Sequence, residues 1–242
     1  MSKNKRKKTV IKLTTIVIIL LLGFLVFLSP LFKVNKIEYN LNANVNEKDI
    51  YKAMGFLKNE KSIFLINKKS LISKVKLEPF IKNASLKIVY PSTLIFDFTY
   101  RKEFSVIEYS NLYITIDDEL NVLSVSDKTG DIFIIEGFLL KDFIVGKKIE
   151  VYNESVLKNA TLLIKLLSKS HIDFKPKINY SDGSLNVQIS DAFKAKFGKG
   201  DDIERKFNDF VDIYEALVNK GVNSGIIDVS NKGLPLYKPF GE

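Results

Sequence analysis

Few residues of this sequence belong to the types that carry out covalent or metal-dependent catalysis. It contains no cysteine and a single histidine, His171. Cysteine–histidine catalysis and the usual zinc sites need several such side chains, so both are excluded. His171 follows a predicted helix and precedes Ile172, which favours a helix-terminal or surface position over a functional one. We therefore expect no metal site and no cofactor.

Serine–lysine strings of the kind found in penicillin-binding proteins also occur. Their active site needs Ser-x-x-Lys, Ser-x-Asn and Lys-Thr-Gly, in that order along the chain. The strings stand here at Ser73 with Lys76, Ser155 with Lys158, Ser184 with Asn186, and residues 128–130. Lys-Thr-Gly thus precedes Ser-x-Asn, and residues 128–130 have the composition of a turn. This order argues against such a site, and we predict that the protein is not an enzyme.

Asp117, Asp118 and Glu119 form the densest group of acidic residues. A calcium-binding loop needs more oxygen ligands, placed at alternate positions of the loop. The three residues lie between two predicted strands, so we interpret them as a polar hairpin turn.

An uncharged segment near the start has the length of a membrane-spanning helix. Residues 13–32 carry no charge and are bounded by Lys12 and Lys33. As a helix they would span about 30 Å, the thickness of a bilayer hydrocarbon core. No small-residue cleavage site follows them, so an uncleaved anchor is favoured over a signal peptide. The absence of cysteine also excludes a lipoprotein anchor.

The distribution of charge predicts the orientation of this anchor. Residues 1–12 carry six basic residues and no acidic one, and such segments stay in the cytoplasm. We therefore expect a single-pass protein of the cell membrane, with a cytoplasmic N-terminus and an extracytoplasmic C-terminus. Six of the nine net positive charges lie in this tail, so the basic composition does not indicate nucleic-acid binding.

Residues 33–103 show the order strand, helix, helix, strand, strand. Asn46 can cap the first helix, with Asp49 as its capping-box partner, and Asn67 can cap the second. Apolar and polar residues alternate in two later segments, residues 84–90 and 94–101. Such alternation is typical of strands buried on one face. We expect a three-stranded sheet with two helices on one face.

Residues 104–230 read as a larger domain of short antiparallel strands with helices, and residues 231–242 as a C-terminal tail. Turn residues separate the first strands, which predicts a meander of hairpins over residues 104–109, 112–117, 120–125 and 132–136. Asp201 and Glu204 have the spacing of a capping box for a helix over residues 202–220. The other expected elements are a helix over residues 154–168 and strands over residues 178–180, 185–189, 193–197 and 226–229. The predicted fold class is α+β.

Four parts of the sequence together resemble one known family. They are residues 32–40; residues 79–84 with 90–94 and 100–103; residues 116–117 with 120–123; and residues 227–231. In this order, after a basic tail and one apolar helix, they resemble the FtsQ/DivIB family of bacterial cell-division proteins over nearly the whole chain. Residues 33–103 resemble its POTRA domain. The chain departs from the family at Leu120, where the family has glycine, and at Tyr100, where the family has glutamate before arginine.

The resemblance implies a non-enzymatic scaffold of the division machinery, located at the septum. Its implied partners are the bitopic coiled-coil division proteins of the FtsB/DivIC and FtsL kind and, through them, the septal peptidoglycan synthase. The alternative is a POTRA-bearing transport or assembly module that guides exported polypeptides. Such modules usually carry several POTRA domains ahead of a membrane barrel, whereas this sequence predicts one domain on a single helix.

The last predicted strand and the tail after it are the candidate partner-binding site. A last strand can lie at a sheet edge with unpaired backbone amides, and the tail is apolar without a helical pattern. The resemblance implies that the final strand accepts a strand from the partner. The candidate residues are Ile227, Asp228, Val229, Ser230, Asn231, Leu234, Leu236 and Tyr237. The alternative is that residues 234–240 only cover the core.

The predicted orientation can be tested by cysteine labelling, because the chain has no cysteine of its own. We expect Ser110→Cys to react with a membrane-impermeant maleimide on intact cells whose wall has been made permeable. Ser2→Cys should react only after lysis, because it precedes the anchor. The reverse pattern would contradict both the orientation and the extracytoplasmic function.

Overall fold

The computed structural model describes residues 3–41, 44–170, 172, 177–231 and 233–240. His171 lies outside the described residues. The chain divides into two compact units, Met1–Tyr100 and Arg101–Glu242. The sequence prediction drew the boundary between residues 103 and 104, three residues further along.

The first unit begins with a long apolar helix, α1, over Lys3–Leu28. Its segment Lys7–Phe27 has the length and composition of a membrane span. The expected span of residues 13–32 extends past the end of this helix. Residues before proline are disfavoured in helices, and Ser29 is accordingly extended before a short 3-10 turn over Pro30–Phe32. The helix also includes most of the basic segment expected as a separate tail.

A three-stranded sheet and two helices make up the rest of the described first unit. The elements are β1 (Lys36–Tyr39), α2 (Glu47–Met54), α3 (Lys68–Val75), β2 (Ile81–Val89) and β3 (Thr93–Tyr100). The sheet order is β1-β3-β2, with β1 parallel to β3 and β2 antiparallel to it. This arrangement confirms the predicted order of strand, helix, helix, strand, strand.

Local capping bonds start both helices of this unit. Asn46 and Asp49 form the predicted capping box, with each side chain bonded to the other residue's backbone N–H at 3.1 Å. The Asn67 side chain accepts a hydrogen bond from the Ser70 N–H at 3.1 Å. The buried side chains of the helices join those of β2 and β3 in one core: Ile50, Met54, Leu71, Val75, Leu86, Leu94, Phe96 and Phe98.

The second unit contains a long mixed sheet, a small hairpin and two helices. Its elements in chain order are β4 (Ser105–Tyr109), β5 (Leu112–Ile116), β6 (Val122–Ser126), β7 (Phe133–Glu136), β8 (Leu140–Asp142), β9 (Glu150–Val151), α4 (Glu154–Leu167), β10 (Lys177–Ser181), β11 (Ser184–Gln188), β12 (Phe193–Gly198), α5 (Ile203–Asn219), β13 (Gly225–Asp228) and β14 (Leu236–Lys238). Among the described residues the sheet order is β14-β13-β12-β11-β10-β7-β4-β5-β6, and β8 pairs with β9.

The predicted meander holds only for β4, β5 and β6. β7 does not continue it, because it leaves β6 and inserts as a parallel strand between β4 and β10. β12 and β13 are parallel as well. The sheet is therefore mixed rather than antiparallel throughout. The parallel seam of β4, β7 and β10 has antiparallel pairs on both sides, and β12 with β13 forms a further parallel pair.

A row of three isoleucines lies on the core face of this seam. Ile107 of β4 and Ile178 of β10 are both in register with Ile135 of β7, and all three are fully buried. The same core contains the buried side chains of α4 and α5: Leu157, Ala160, Leu163, Ile164, Leu167, Ile203, Phe207 and Phe210. The helices therefore cover the apolar face of the sheet.

The start of α5 differs from the prediction. Asp202 precedes the helix with a left-handed φ of +48° and makes no capping bond with its side chain. The Asp201 carboxylate instead accepts a hydrogen bond from Lys206 at 2.6 Å. The buried Lys206 ammonium also donates to the Phe197 carbonyl at 2.9 Å. The capping box of Asp201 and Glu204 was wrong, because Asp201 pairs with a lysine whose charge would otherwise be unpaired in the core.

The acidic group after β5 forms a turn, as expected. The buried Asp117 carboxylate accepts hydrogen bonds from the backbone N–H groups of Glu119 and Asn121 at 3.0 and 2.7 Å, and from Arg101. Leu120 adopts a left-handed φ of +69°, a conformation that favours glycine. Its side chain is buried in the core, so burial offsets the backbone strain. In the described ranges no group of three or more His, Asp or Glu residues could hold a metal ion.

The isoleucine row predicts the stability of the second unit. Replacing Ile135 with alanine should lower the free energy of unfolding by about 3 kcal/mol, because it leaves a cavity in a closely packed seam. The measurement is chemical denaturation of the full chain in detergent. The matched control is Ile144→Ala at an exposed loop position, which should cost about 0.5 kcal/mol. Equal losses in the two variants would contradict a central role for the row.

Candidate functional site

The C-terminal end of the long sheet contains the predicted partner-binding residues. β13 pairs in parallel with β12 on one side and antiparallel with β14 on the other. The expectation that residues 226–229 form a free edge was therefore wrong. The apolar tail folds back as a further strand, and in the described part of the chain β14 is the edge.

A tight turn after β13 starts the return of the chain. The Asp228 carboxylate accepts hydrogen bonds from the Ser230 N–H at 3.0 Å and from its hydroxyl at 2.6 Å, as in an Asx turn. Gly198, at the end of β12, lies against this turn. A Cβ atom there would come within 2.9 Å of the Ser230 Cβ atom, so the turn packs directly on the β12 backbone.

Tyr237 holds β14 against the sheet. Its hydroxyl donates a hydrogen bond to the Ser224 carbonyl at 2.8 Å. Its ring lies over Gly225, where a Cβ atom would approach the Tyr237 Cε2 atom to 2.6 Å. Gly225 also has a φ of +130°, so two constraints require glycine there. The Tyr237 ring, packed on the Gly225 backbone, thus anchors a strand of only three residues.

The predicted site residues separate into three groups. Ile227 and Val229 are buried in the core, while Asp228 and Ser230 bond to each other in the turn. Asn231 and Leu234 lie in the segment between β13 and β14, which includes residue 232 outside the described residues. Strand pairing brings residues 226–228 together with residues 236–238. The freely accessible side chains of the set are Asn231, Leu234 and Leu236.

Three further residues contribute to this site and were missed in the sequence. Gly225 and Ser224 hold Tyr237, and Phe240 adds an exposed apolar side chain after β14. The sequence signal for β14 is weak, because the strand has only three residues, Leu236–Lys238, and Tyr237 is the one residue among them that is typical of strands. A glycine directly before a predicted strand was the available sign of close backbone approach.

Leu234 and Leu236 are the most exposed apolar side chains of the site. They are 90% and 53% exposed, respectively. Because Leu236 pairs with Asp228, it lies on the face of the sheet opposite the buried Ile227. The exposed side chains of the same solvent face include Lys194, Lys196 and Lys238, in register with β13 residues. This face of the sheet therefore has an exposed leucine at its edge and lysines on β12 and β14. Asp228 is the acidic residue among these paired positions.

The outer side of β14 offers few backbone donors. The N–H groups of Gly225 and Val229 donate to the carbonyls of Ala192, just before β12, and Lys196 within it. The backbone groups of the alternate residues of β13, Ile226 and Asp228, therefore face β14. The backbone groups of their partners, Lys238 and Leu236, must therefore face β13. This leaves the backbone N–H and C=O of Tyr237 facing outward. The next outward positions are Pro235 and Pro239, which have no N–H. Such an edge resists the addition of another strand.

The two units resemble known proteins to different extents. Residues 32–96 match the domain family described as POTRA domain, FtsQ-type. The whole chain is similar to the cell division protein DivIB of Clostridium botulinum (strain Loch Maree / Type A3), with 26% identity over 97% of this chain and 94% of that protein. DivIB of Clostridium tetani is 27% identical over 92% of this chain and 85% of its own length. DivIB of Clostridium acetobutylicum is 28% identical over 80% of each.

The anchoring of β14 predicts its hydrogen exchange. In the native chain the amides of Leu236 and Lys238 should exchange slowly, and that of Tyr237 quickly, because only the first two face β13. Gly225→Ala should speed exchange at both slow positions by displacing the Tyr237 ring. Gly221→Ala is the matched control, since Gly221 also has a positive φ, +76°, but open space around it.

Tyr237→Phe keeps the ring and removes one hydrogen bond, so it should weaken β14 by about 1 kcal/mol. Protection of residues 236 and 238 that is unchanged in Gly225→Ala would show that the ring does not anchor the strand.

Proposed function

Since the chain belongs to the FtsQ/DivIB family of bacterial cell-division proteins, we propose that it is a non-enzymatic scaffold of the division machinery. In this role it bridges division proteins of the FtsB/DivIC and FtsL kind and, through them, the septal peptidoglycan synthase. The relatives that cover most of the chain support a role in division. The N-terminal apolar helix fits a single-pass membrane protein at the septum.

The proposed orientation has the N-terminus in the cytoplasm and residues 33–242, after the anchor, on the extracytoplasmic side. It is supported by the six basic residues before position 13, since such residues resist export. We also propose that the protein has no catalytic activity. Two of the serine–lysine strings make local hydrogen bonds: the Ser73 hydroxyl donates to the Lys69 carbonyl within α3, and the Lys128 backbone N–H donates to the Ser126 hydroxyl in a turn.

The observation that carries the proposal is the exposed apolar rim of the sheet edge. Leu234 and Leu236 are exposed to solvent, whereas Ile227 and Val229 of the neighbouring strand segment are buried in the core. An exposed apolar rim beside a basic face suits a partner segment with apolar and acidic residues. We propose that Leu234 and Leu236 contact the DivIC-like partner, with Asn231 and Tyr237 beside them.

The buried members of the candidate set have a different role in this proposal. Ile227 and Val229 place β13, while Asp228 and Ser230 shape the turn that presents the rim. The partner is expected to bind through side chains rather than by extending the sheet, because Tyr237 is the one outward N–H between Pro235 and Pro239.

The alternative of a transport or assembly module has less support. That alternative was inferred from POTRA domains in general, whereas the domain matched here is of the FtsQ type. The relatives that extend over both units are named as cell division proteins.

The partner site can be tested by co-purification of the full chain with the DivIC-like protein. Leu236→Asp should weaken the complex by about 2 kcal/mol, roughly 30-fold in Kd, because it places a charge in an apolar contact. Leu139→Asp, at an exposed leucine in the same unit but away from β14, should leave affinity unchanged. A chain ending at Gly233 keeps β13 and should also bind weakly.

Two outcomes would contradict this site. Unchanged affinity in Leu236→Asp and in the shortened chain would move the interface elsewhere, with the POTRA domain as the next candidate. Tighter binding by the shortened chain would indicate that the partner replaces β14 on β13 instead of contacting its side chains.

A further inference from the structure

A cluster of aromatic rings joins α1 to the rest of the first unit. The Phe64 ring stacks on Phe27, the last residue of the apolar span, with 5.6 Å between the ring centroids. Phe32 and Tyr90 contact the same Phe64 ring at 4.9 and 5.7 Å. Phe64 belongs to a short 3-10 turn over Ile63–Leu65, whose Ile63 is buried in the core. The core thus holds this turn against the end of the anchor.

The surface around these rings is apolar and exposed. Leu31 is 71% exposed, Tyr90 61% and Leu65 56%. Leu31 and Leu65 adjoin the ring-forming residues Phe32 and Phe64 in the sequence, so both exposed leucines lie near the ring cluster. A concentration of exposed apolar side chains often marks an interaction site.

The position of the patch along the anchor identifies what lies against it. The polar layer of a bilayer is about 5–7 Å deep on each side of the hydrocarbon core. Phe27 ends the apolar span, so the Phe64 ring that stacks on it, with 5.6 Å between the centroids, lies near the boundary between the hydrocarbon core and this layer. Leu31 follows Phe27 by four residues through a compact turn. A spanning α1 therefore brings the patch to the lipid headgroups, whichever way the helix is oriented.

The charge around the patch complements anionic lipid. Lys61, Lys68 and Lys69 flank Phe64 and Leu65 along the chain, and all three are exposed. Residues 61–77 contain no aspartate or glutamate. Lysines beside an apolar surface at the membrane bind anionic headgroups while their stems lie along the acyl chains. Aromatic side chains such as Tyr90 favour the same depth.

We propose that Leu31, Phe64, Leu65 and Tyr90 form a membrane-interface patch that inserts into the leaflet at the end of α1. Lys61, Lys68 and Lys69 bind anionic phospholipid headgroups around it. The patch holds the POTRA unit against the lipid surface through a second contact besides the anchor. This interaction depends on α1 spanning a bilayer and does not depend on any division partner.

Tryptophan fluorescence can measure the depth of the patch, because the chain has no tryptophan. Full-length Leu65→Trp and Leu31→Trp would be reconstituted separately in phosphatidylglycerol vesicles containing phospholipid brominated on the acyl chain. We expect a blue-shifted emission that is quenched most by bromine near the headgroup end of the chain. Both sites are exposed, so the substitutions leave the core intact, and circular dichroism checks the fold.

Two further single-tryptophan variants calibrate the result. Leu20→Trp lies within the span and should be quenched most by bromine near the methyl end of the acyl chain. Leu77→Trp is an exposed site just before Glu78 and the start of β2, whereas Tyr90 follows the end of β2. The nine residues of β2 put roughly 26 Å between these ends, so Leu77→Trp should keep solvent-exposed emission without quenching.

The lysines are tested in the Leu65→Trp chain. Changing Lys61, Lys68 and Lys69 together to glutamate should reduce quenching in phosphatidylglycerol vesicles, because the charges then repel the headgroups, and changing them to arginine should preserve it. In neutral phosphatidylcholine vesicles the glutamate and lysine forms should differ little.

Quenching at Leu20→Trp without quenching at Leu65→Trp and Leu31→Trp would overturn the patch while leaving the anchor intact. Lack of quenching at Leu20→Trp would overturn the span itself and the patch with it. Equal quenching of the glutamate and lysine forms in phosphatidylglycerol would overturn the role of the headgroups. Partner binding to Leu234 and Leu236 would be unaffected by each of these results.

Discussion

The parallel seam of β4, β7 and β10 is the constraint on which the second unit depends. Its core face is the row of Ile107, Ile135 and Ile178, and all three side chains are fully buried. On the opposite face Lys177 bonds to Glu136 at 2.5 Å and lies 3.4 Å from Glu108. The hydrogen bond to Glu136 raises the pKa of the Lys177 ammonium, which favours the charged form of this lysine. Apolar packing on one face and ion pairs on the other hold together the two groups of strands that lie on either side of the seam.

The seam also determines where the proposed partner-binding edge lies. Parallel neighbours require a crossover connection, and α4 lies in the connection between β7 and β10 while packing on the core that contains the isoleucine row. The strands after β10 then extend the sheet away from the seam, through β12 to β13 and β14. The exposed Leu234 and Leu236 thus lie at one end of the sheet, and the seam sets the strand order that places them there. β14 covers β13 with one short strand, and Pro235 and Pro239 protect its outer side from unwanted pairing.

Two exposed apolar surfaces stand out among the described residues. The buried charged side chains among the described residues are paired: Lys206 with Asp201, and Asp117 with Arg101. What remains accessible is an apolar rim with a basic face in the second unit, and an apolar patch with flanking lysines in the first. A scaffold needs such surfaces on rigid elements, because a contact held by strands and capped helices loses little conformational entropy on binding.

The sequence by itself determined the features that depend on neighbouring residues. The apolar span, the capping box of Asn46 and Asp49, and the order of strands and helices follow from local periodicity and local hydrogen bonds. At Asp201 the local spacing predicted a capping box that does not form. Its carboxylate pairs instead with Lys206, because that buried ammonium needs a partner. Only the tertiary structure decided that β7 inserts between β4 and β10, and that Tyr237 packs over Gly225 to make β14 the edge. Both arrangements are selected by buried contacts between residues distant in sequence, whose register no single segment encodes.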